Sequence, residues 1–189
     1  MNNSDNMSAV LRRYDKAESD ELNILAGIDE TDKQAAKKVL RQYFEEQYFD
    51  GIVSVYFLLE MNSDVSILSD KTLKNQILDR SVDGKTYIDR IDDGSSVESI
   101  ARSDGHRVFI EAQLAAAQRI AHTTHKVLFK RWDATLDSVT RDTHYKLHGT
   151  TIPLDDEFET VNGKTIAPGL FGIPAEDCNC RCILDFLAY

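Results

Sequence analysis

Apolar residues change their spacing about two thirds of the way along this chain, and that change constrains the fold more than any other feature. Upstream, Ala36, Val39, Leu40, Tyr43, Phe44 and Tyr48 recur at steps of three and four, the spacing that lines one face of an α-helix. Downstream, from Lys126 to Trp132, the pattern alternates: Val127 and Phe129 face one way, Leu128 and Trp132 the other, as on a strand. The predicted fold class is α+β. A helix-rich N-terminal part precedes a small α+β module of short antiparallel strands, closed by a strand carrying a C-x-C pair.

Local signals divide the chain further. Residues 1–29 are polar and acidic and are expected to form an arm; residues 30–100 form a helical region, and residues 101–189 the module. Thr31 with Gln34 is a capping box that opens the first helix, and Asp50-Gly51 is expected to end or kink it. The run Ile52 to Leu59 suits helix and strand alike. A helix is predicted to begin at Ser69 or Asp70 and reach about Arg80; Asp83-Gly84 and Asp93-Gly94 bracket a short segment around Tyr87, Ile88 and Ile91. Helix formers dominate Val108 to Ala121. Beyond the first strand come a short helix over Thr140 to Leu147, closed by Gly149 in a left-handed cap, and a strand at Thr150 to Ile152. An Asn-Gly hairpin signal follows at Val161 to Lys164, then the closing strand from Cys180 to Leu184.

A length of 189 residues allows at most two domains. No apolar stretch follows Arg12-Arg13, so no secretory leader is expected, and the longest apolar run is too short to span a bilayer. All three cysteines fall at 178, 180 and 182, where disulfides between near neighbours are strained, which points to a reducing compartment. The net charge of −10 disfavours bulk coating of nucleic acid. Residues 101–150 nevertheless hold eight Lys or Arg against five acids, +3 locally against −13 elsewhere. A DNA contact is therefore assigned to Arg119, Lys126, Lys130, Arg131 and Lys146.

On a helix Asp137, Arg141, His144 and His148 would share one face; with the helix beginning near Thr140, that face reduces to Arg141, His144 and His148. Three readings of them stay open. In the first, Arg141 and His144 form a buried hydrogen-bonded network tying the helix to the closing strand. In the second, His144 and His148 join Cys180 and Cys182 around a structural zinc, although C-x-C on a strand spaces its thiolates by roughly 7 Å and needs a bulge to converge. In the third, the histidines act as acid and base in a nuclease, with Arg141 stabilising charge. Trp132 is expected to anchor the core beside Phe158, Phe171 and Phe186, while His106, His122 and His125 are expected to be solvated. Asp155-Asp156-Glu157 reads as a turn with an exposed acidic face. No phosphate-binding glycine loop occurs.

One ordered set remains: Trp132, then Arg141-Asp142-Thr143-His144-Tyr145-Lys146-Leu147-His148-Gly149, then Pro153-Leu154-Asp155-Asp156-Glu157-Phe158, then Asn179-Cys180-Arg181-Cys182. It resembles the signature of the phage Mu F-like head morphogenesis family, the minor head proteins of tailed bacteriophages, with a weaker likeness at Gly84 to Ile91 and Ile100 to Asp104. The resemblance favours helix for Ile52 to Leu59. It implies a non-enzymatic minor structural protein of a phage or prophage head, with partners in the portal, other head or scaffold proteins and phage DNA. It also implies a location near the portal vertex, reached from the host cytoplasm during assembly, and a role in packaging or ejection. Trp132, Arg141, His144, His148, Gly149, Asp155, Phe158, Cys180, Arg181 and Cys182 are then the residues that hold the module together. Many relatives carry a further domain after N-C-R-C, sometimes a toxin-like enzyme; with Tyr189 seven residues on, none is expected here. Relatives often have an acidic residue where His148 stands. The rival functions are a small metal-dependent or histidine-based nuclease and a DNA-binding module.

Overall fold

The computed structural model describes Leu25, residues 31–61 and residues 65–189. The predicted arm at 1–29 thus lies outside the described residues, apart from Leu25, which is buried. Helix α1 spans Lys33–Leu58, and its N-cap is Asp32, whose carboxylate accepts from the Ala35 N–H at 3.0 Å. The cap falls one residue after Thr31, because an aspartate here satisfies the orphan N–H as well as a threonine would. The helix does not break at Asp50-Gly51. Gly51 is buried in its interior, where a Cβ would stand 2.4 Å from the Phe109 carbonyl oxygen. This glycine permits two helices to approach rather than ending one, and Ile52, Val55 and Tyr56 continue the buried face.

Helices α2 (Val65–Leu68) and α3 (Lys71–Leu78) follow, the second capped by Asp70 through the Leu73 N–H, as the sequence suggested. A tight turn at Asp83-Gly84 leads to α4 (Tyr87–Asp92), held by a capping box between Thr86 and Asp89. Helix α5 runs over Val97–Thr124, beginning well before the Val108 expected from helix formers. Its first turns are full of serines and charges; Glu98, Ser99 and Arg102 face solvent, but the polar residues that follow are packed inside: Asp104 pairs with Arg90, and Arg107 donates to the Ile77 carbonyl at 2.8 Å and to Glu111 at 2.9 Å. A helix buried on nearly every side shows no apolar stripe. It crosses position 101, so the helical region and the module share it.

The module packs a three-stranded antiparallel sheet, with β1 (Leu128–Asp133) between β2 (Thr151–Pro153) and β5 (Ile183–Ala188), against these helices. Strand β1 (Leu128–Asp133) is central and buries Leu128, Lys130 and Trp132 on alternate positions. Helix α6 (Asp142–Leu147) precedes β2 (Thr151–Pro153); β3 (Phe158–Thr160) and β4 (Gly163–Thr165) form the hairpin that Asn162-Gly163 signalled. Helix α7 (Pro174–Asp177) leads into β5 (Ile183–Ala188), which pairs Leu184 with Trp132 and Phe186 with Lys130. The closing strand starts after the cysteines, so the C-x-C pair lies in the loop entering it, not on the strand itself. Buried apolar residues from the helices and the sheet form one core. No helix among the described residues is long and apolar enough to cross a membrane.

Candidate functional site

Four segments converge on the inner face of β1. Strand β1 presents Trp132, fully buried. Helix α6 presents His144, and its direction is set where Gly149, at φ +80°, donates to the Trp132 carbonyl at 2.8 Å. That positive φ is the left-handed cap the sequence indicated. Helix α7, opened by Pro174 in its first turn, presents Glu176. Asn179, at φ +55°, then turns the backbone and Cys180 N–H closes onto the Asp177 carbonyl at 3.1 Å.

That turn brings the two sulfurs to one side despite the C-x-C spacing. His144 Nδ1 lies 3.7 Å from Cys180 Sγ and 3.4 Å from Cys182 Sγ. The three ligand atoms all fall within 4.8 Å of one another, and all three residues are buried. Across the ring, His144 Nε2 stands 2.9 Å from Glu176 Oε2, a contact without in-line hydrogen-bond geometry. The imidazole stacks on Phe171, with centroids 5.9 Å apart and planes at 12°, and meets Trp132 edge-on at 5.2 Å. Trp132 also packs edge-on against Phe158 at 5.1 Å.

Glu176 is itself fixed, by the Thr143 hydroxyl at 2.9 Å and by the Asn162 side-chain amide. Burial pushes its carboxyl up, but the hydrogen bonds from Asn162 and Thr143, with the charge of nearby Arg141, outweigh that and hold it below the ordinary range. The neighbouring sulfur and burial raise the Cys180 thiol, while the hydrogen bond from Cys180 draws the Cys182 thiol down. Proximity to cations reinforces the latter: Arg141 and Arg181 both lie near Cys182. No disulfide links the cysteines, and Cys178 is exposed.

His148 does not join this cluster. One turn beyond His144 it leaves the helix, so its Nδ1 accepts from the Ala134 N–H at 3.2 Å and lies 3.1 Å from Asp133, with its side chain 38% exposed. The zinc set that included His148 is corrected accordingly to His144, Cys180 and Cys182 as the residues brought together. Arg141 donates to the Cys178 carbonyl, and Arg181 pairs with Asp137 at 2.8 Å, holding that aspartate well below the usual carboxylate range. Asp155 is exposed in the expected turn, between buried Leu154 and Phe158.

Of the cations assigned to DNA, Lys130 is corrected outright. It occupies a buried β1 position beside Phe158, its Nζ 5.6 Å from the ring centroid, and burial lowers its ammonium to about 8. Arg131 pairs with buried Asp185 at 2.5 Å, Arg119 donates to Ser66 at 2.8 Å, and Lys126 and Lys146 are exposed. His106, expected to be solvated, is instead buried, its Nε2 donating to the Cys182 carbonyl at 2.8 Å. His122 and His125 are exposed as expected. Sequence reasoning missed Glu176, Thr143 and Asn162. The spacing gave no sign of them, because they meet only when α6, the hairpin and α7 pack together.

Comparisons with known proteins place these residues in a family context. Residues 70–185 match the family model described as phage Mu protein F like protein. The chain is 39% identical over 88 residues to the minor head protein GP7 of Bacillus phage SPP1, covering 46% of this chain and 28% of that protein. It is 25% identical to the NAD(+)-arginine ADP-ribosyltransferase EFV of Enterococcus faecalis over 205 aligned positions, 87% of this chain and 41% of that protein. The chain therefore spans less than half the length of these relatives. No solved structure matches it.

Proposed function

The chain belongs to the phage Mu protein F like family, and from that membership we infer that it is a minor structural protein of a tailed-phage or prophage head, working beside the portal during assembly. The observation that carries this reading is the family match over residues 70–185, which contains the whole signature from Trp132 to Cys182. The likeness to a minor head protein over 88 residues supports it. The inward packing of Trp132, His144, Phe158, Cys180 and Cys182 suits residues that hold a module together.

A non-enzymatic role fits the same arrangement. The two histidines that a nuclease would need as acid and base point to different partners, one buried against sulfur and the other half-exposed against Asp133. The activity named for the enterococcal relative is not carried over, since the chain spans 41% of that protein at 25% identity. Location in the head near the portal vertex, reached from the host cytoplasm, completes the proposal. Any DNA contact during packaging or ejection falls to Arg119, Lys126 and Lys146.

Quantitative mass spectrometry of purified particles, and of portal pull-downs from a lysate holding the tagged protein, tests this. A few copies per head with portal recovered alongside is the expected result. Absence from particles with abundance in the lysate would overturn it.

A further inference from the structure

We propose that His144 Nδ1, Cys180 Sγ and Cys182 Sγ form a binding site for a thiophilic divalent cation, zinc by ligand type, which staples α6 and the α7–β5 loop onto β1. The geometry of the three atoms carries the inference. A tetrahedral zinc with Zn–S of about 2.3 Å and Zn–N of about 2.0–2.1 Å requires sulfur and nitrogen ligands to stand about 3.6 Å apart. The observed separations are 3.7 Å and 3.4 Å. Two sulfurs bracket one ring nitrogen, although the single lone pair of a neutral imidazole nitrogen accepts only one S–H hydrogen bond in line. Convergence of that kind is the arrangement of a coordination sphere.

The surroundings agree with ligation. A histidine that binds metal through one nitrogen ordinarily directs the other at a carboxylate or carbonyl, which fixes its tautomer. Here the carboxylate beside Nε2 is Glu176, 2.9 Å away though off the in-line direction, and it is braced by Thr143 and Asn162. A proton on Nε2 leaves Nδ1 to donate its lone pair toward the sulfurs. The soft thiolate and imidazole set selects zinc over calcium or magnesium, which prefer oxygen.

Beside two of the three ligands lies a cavity of about 20 Å³, bordered by His144, Cys182, Arg141 and Arg181. That is room for about one water molecule. The site is accordingly a structural staple completed by water, and it stands independently of the proposed head function. Cys178 is exposed and outside the cluster, so it takes no part.

The full chain, purified without chelator, is assayed for metal by elemental mass spectrometry, then stripped and titrated with Co²⁺ alone. The expected results are about one zinc per chain and, with cobalt, sulfur-to-metal charge-transfer absorption with the visible bands of a tetrahedral ion. Cys178→Ser should keep both signals, and Cys182→Ser should lose the charge-transfer band. Glu176→Gln, which keeps a hydrogen-bonding side chain of the same shape, should weaken zinc binding about 10–100-fold. A wild-type chain that is metal-free as purified and gives no charge-transfer absorption with cobalt would overturn the site. So would metal binding that survives Cys182→Ser in a folded protein.

Discussion

His106 Nε2 donates to the carbonyl oxygen of Cys182 at 2.8 Å, joining the middle of α5 to the cysteine loop 76 residues later. Both groups are buried, so neither finds water as an alternative partner. His106→Ala leaves that carbonyl without its donor and opens a cavity beside Gly169. The expected loss is about 2–4 kcal/mol, combining an unsatisfied buried acceptor with the lost packing. Urea unfolding monitored by Trp132 fluorescence measures it, and an unchanged midpoint would show that the bond is dispensable.

Gly51 and Gly105 mark the line along which α1 and α5 touch. An Ala methyl at Gly51 would meet the Phe109 carbonyl oxygen at 2.4 Å and the Ala112 Cβ at 2.9 Å; at Gly105 it would meet the Tyr43 ring at 2.5 Å. In an exposed helix interior, Gly→Ala gains about 1 kcal/mol of stability. Gly51→Ala is expected to reverse that sign and destabilise by about 1–3 kcal/mol, since backbone cannot yield as a side chain can. Gly105→Ala should cost less, because the Tyr43 ring can swing. Thermal melts of the two variants that both move upward would contradict the close helix approach.

These two positions also show what the sequence could and could not convey. The step of three and four through Leu40, Tyr43, Phe44 and Tyr48 marks a half-buried helix, and such a helix is legible because solvent stays on one side. Asp50-Gly51 looked like a stop because a local rule sees only the chain beside the glycine, not Phe109 across from it. For the same reason α5 was legible only from Val108. Its N-terminal half buries Asp104, His106 and Arg107 with partners on other elements, so polarity there carries no information about exposure. At the site, the ordered signature named His144, Cys180 and Cys182, but not which of them touch. His148 shares a helical face with His144 only while the helix lasts, and it ends at Leu147. Glu176 had no signal, since its role depends on tertiary packing alone.

Lys130 places an ammonium at a fully buried strand position, and its side-chain nitrogen has no hydrogen-bond partner. Burial lowers it to about 8, against the carboxylates of Asp155, Asp156 and Glu157, which favour the charge, and the Phe158 face offsets part of the cost. A lysine depressed in the folded state leaves the unfolded chain holding more protons between about pH 8 and 10.5. Its penalty is therefore full below pH 8 and fades as pH rises toward 10.5. Lys130→Met, which keeps volume and removes charge, is expected to be more stable than wild type by about 1–2 kcal/mol at pH 7. The gap should narrow by pH 10. Denaturant midpoints of both proteins across that range measure it, and a wild type that is the more stable at pH 7 would show that the acids and the ring more than compensate for burial.

His144 and His148 were alike in sequence and are unlike in structure, and that contrast separates the readings the sequence left open. His144 is 2% exposed, stacked on Phe171, edge-on to Trp132 and within reach of two sulfurs. His148 sits at the surface and offers one acceptor to the Ala134 N–H. His144→Ala should therefore cost about 3 kcal/mol or more, the scale for emptying a packed, hydrogen-bonded site. His148→Ala should cost under about 1 kcal/mol, as for an exposed pair. A shared catalytic or four-ligand site would instead make the two substitutions nearly equivalent in activity or metal content. Melting temperatures of both variants, taken with and without a chelator, decide between these outcomes: a chelator should shift wild type and His148→Ala alike and leave His144→Ala unmoved.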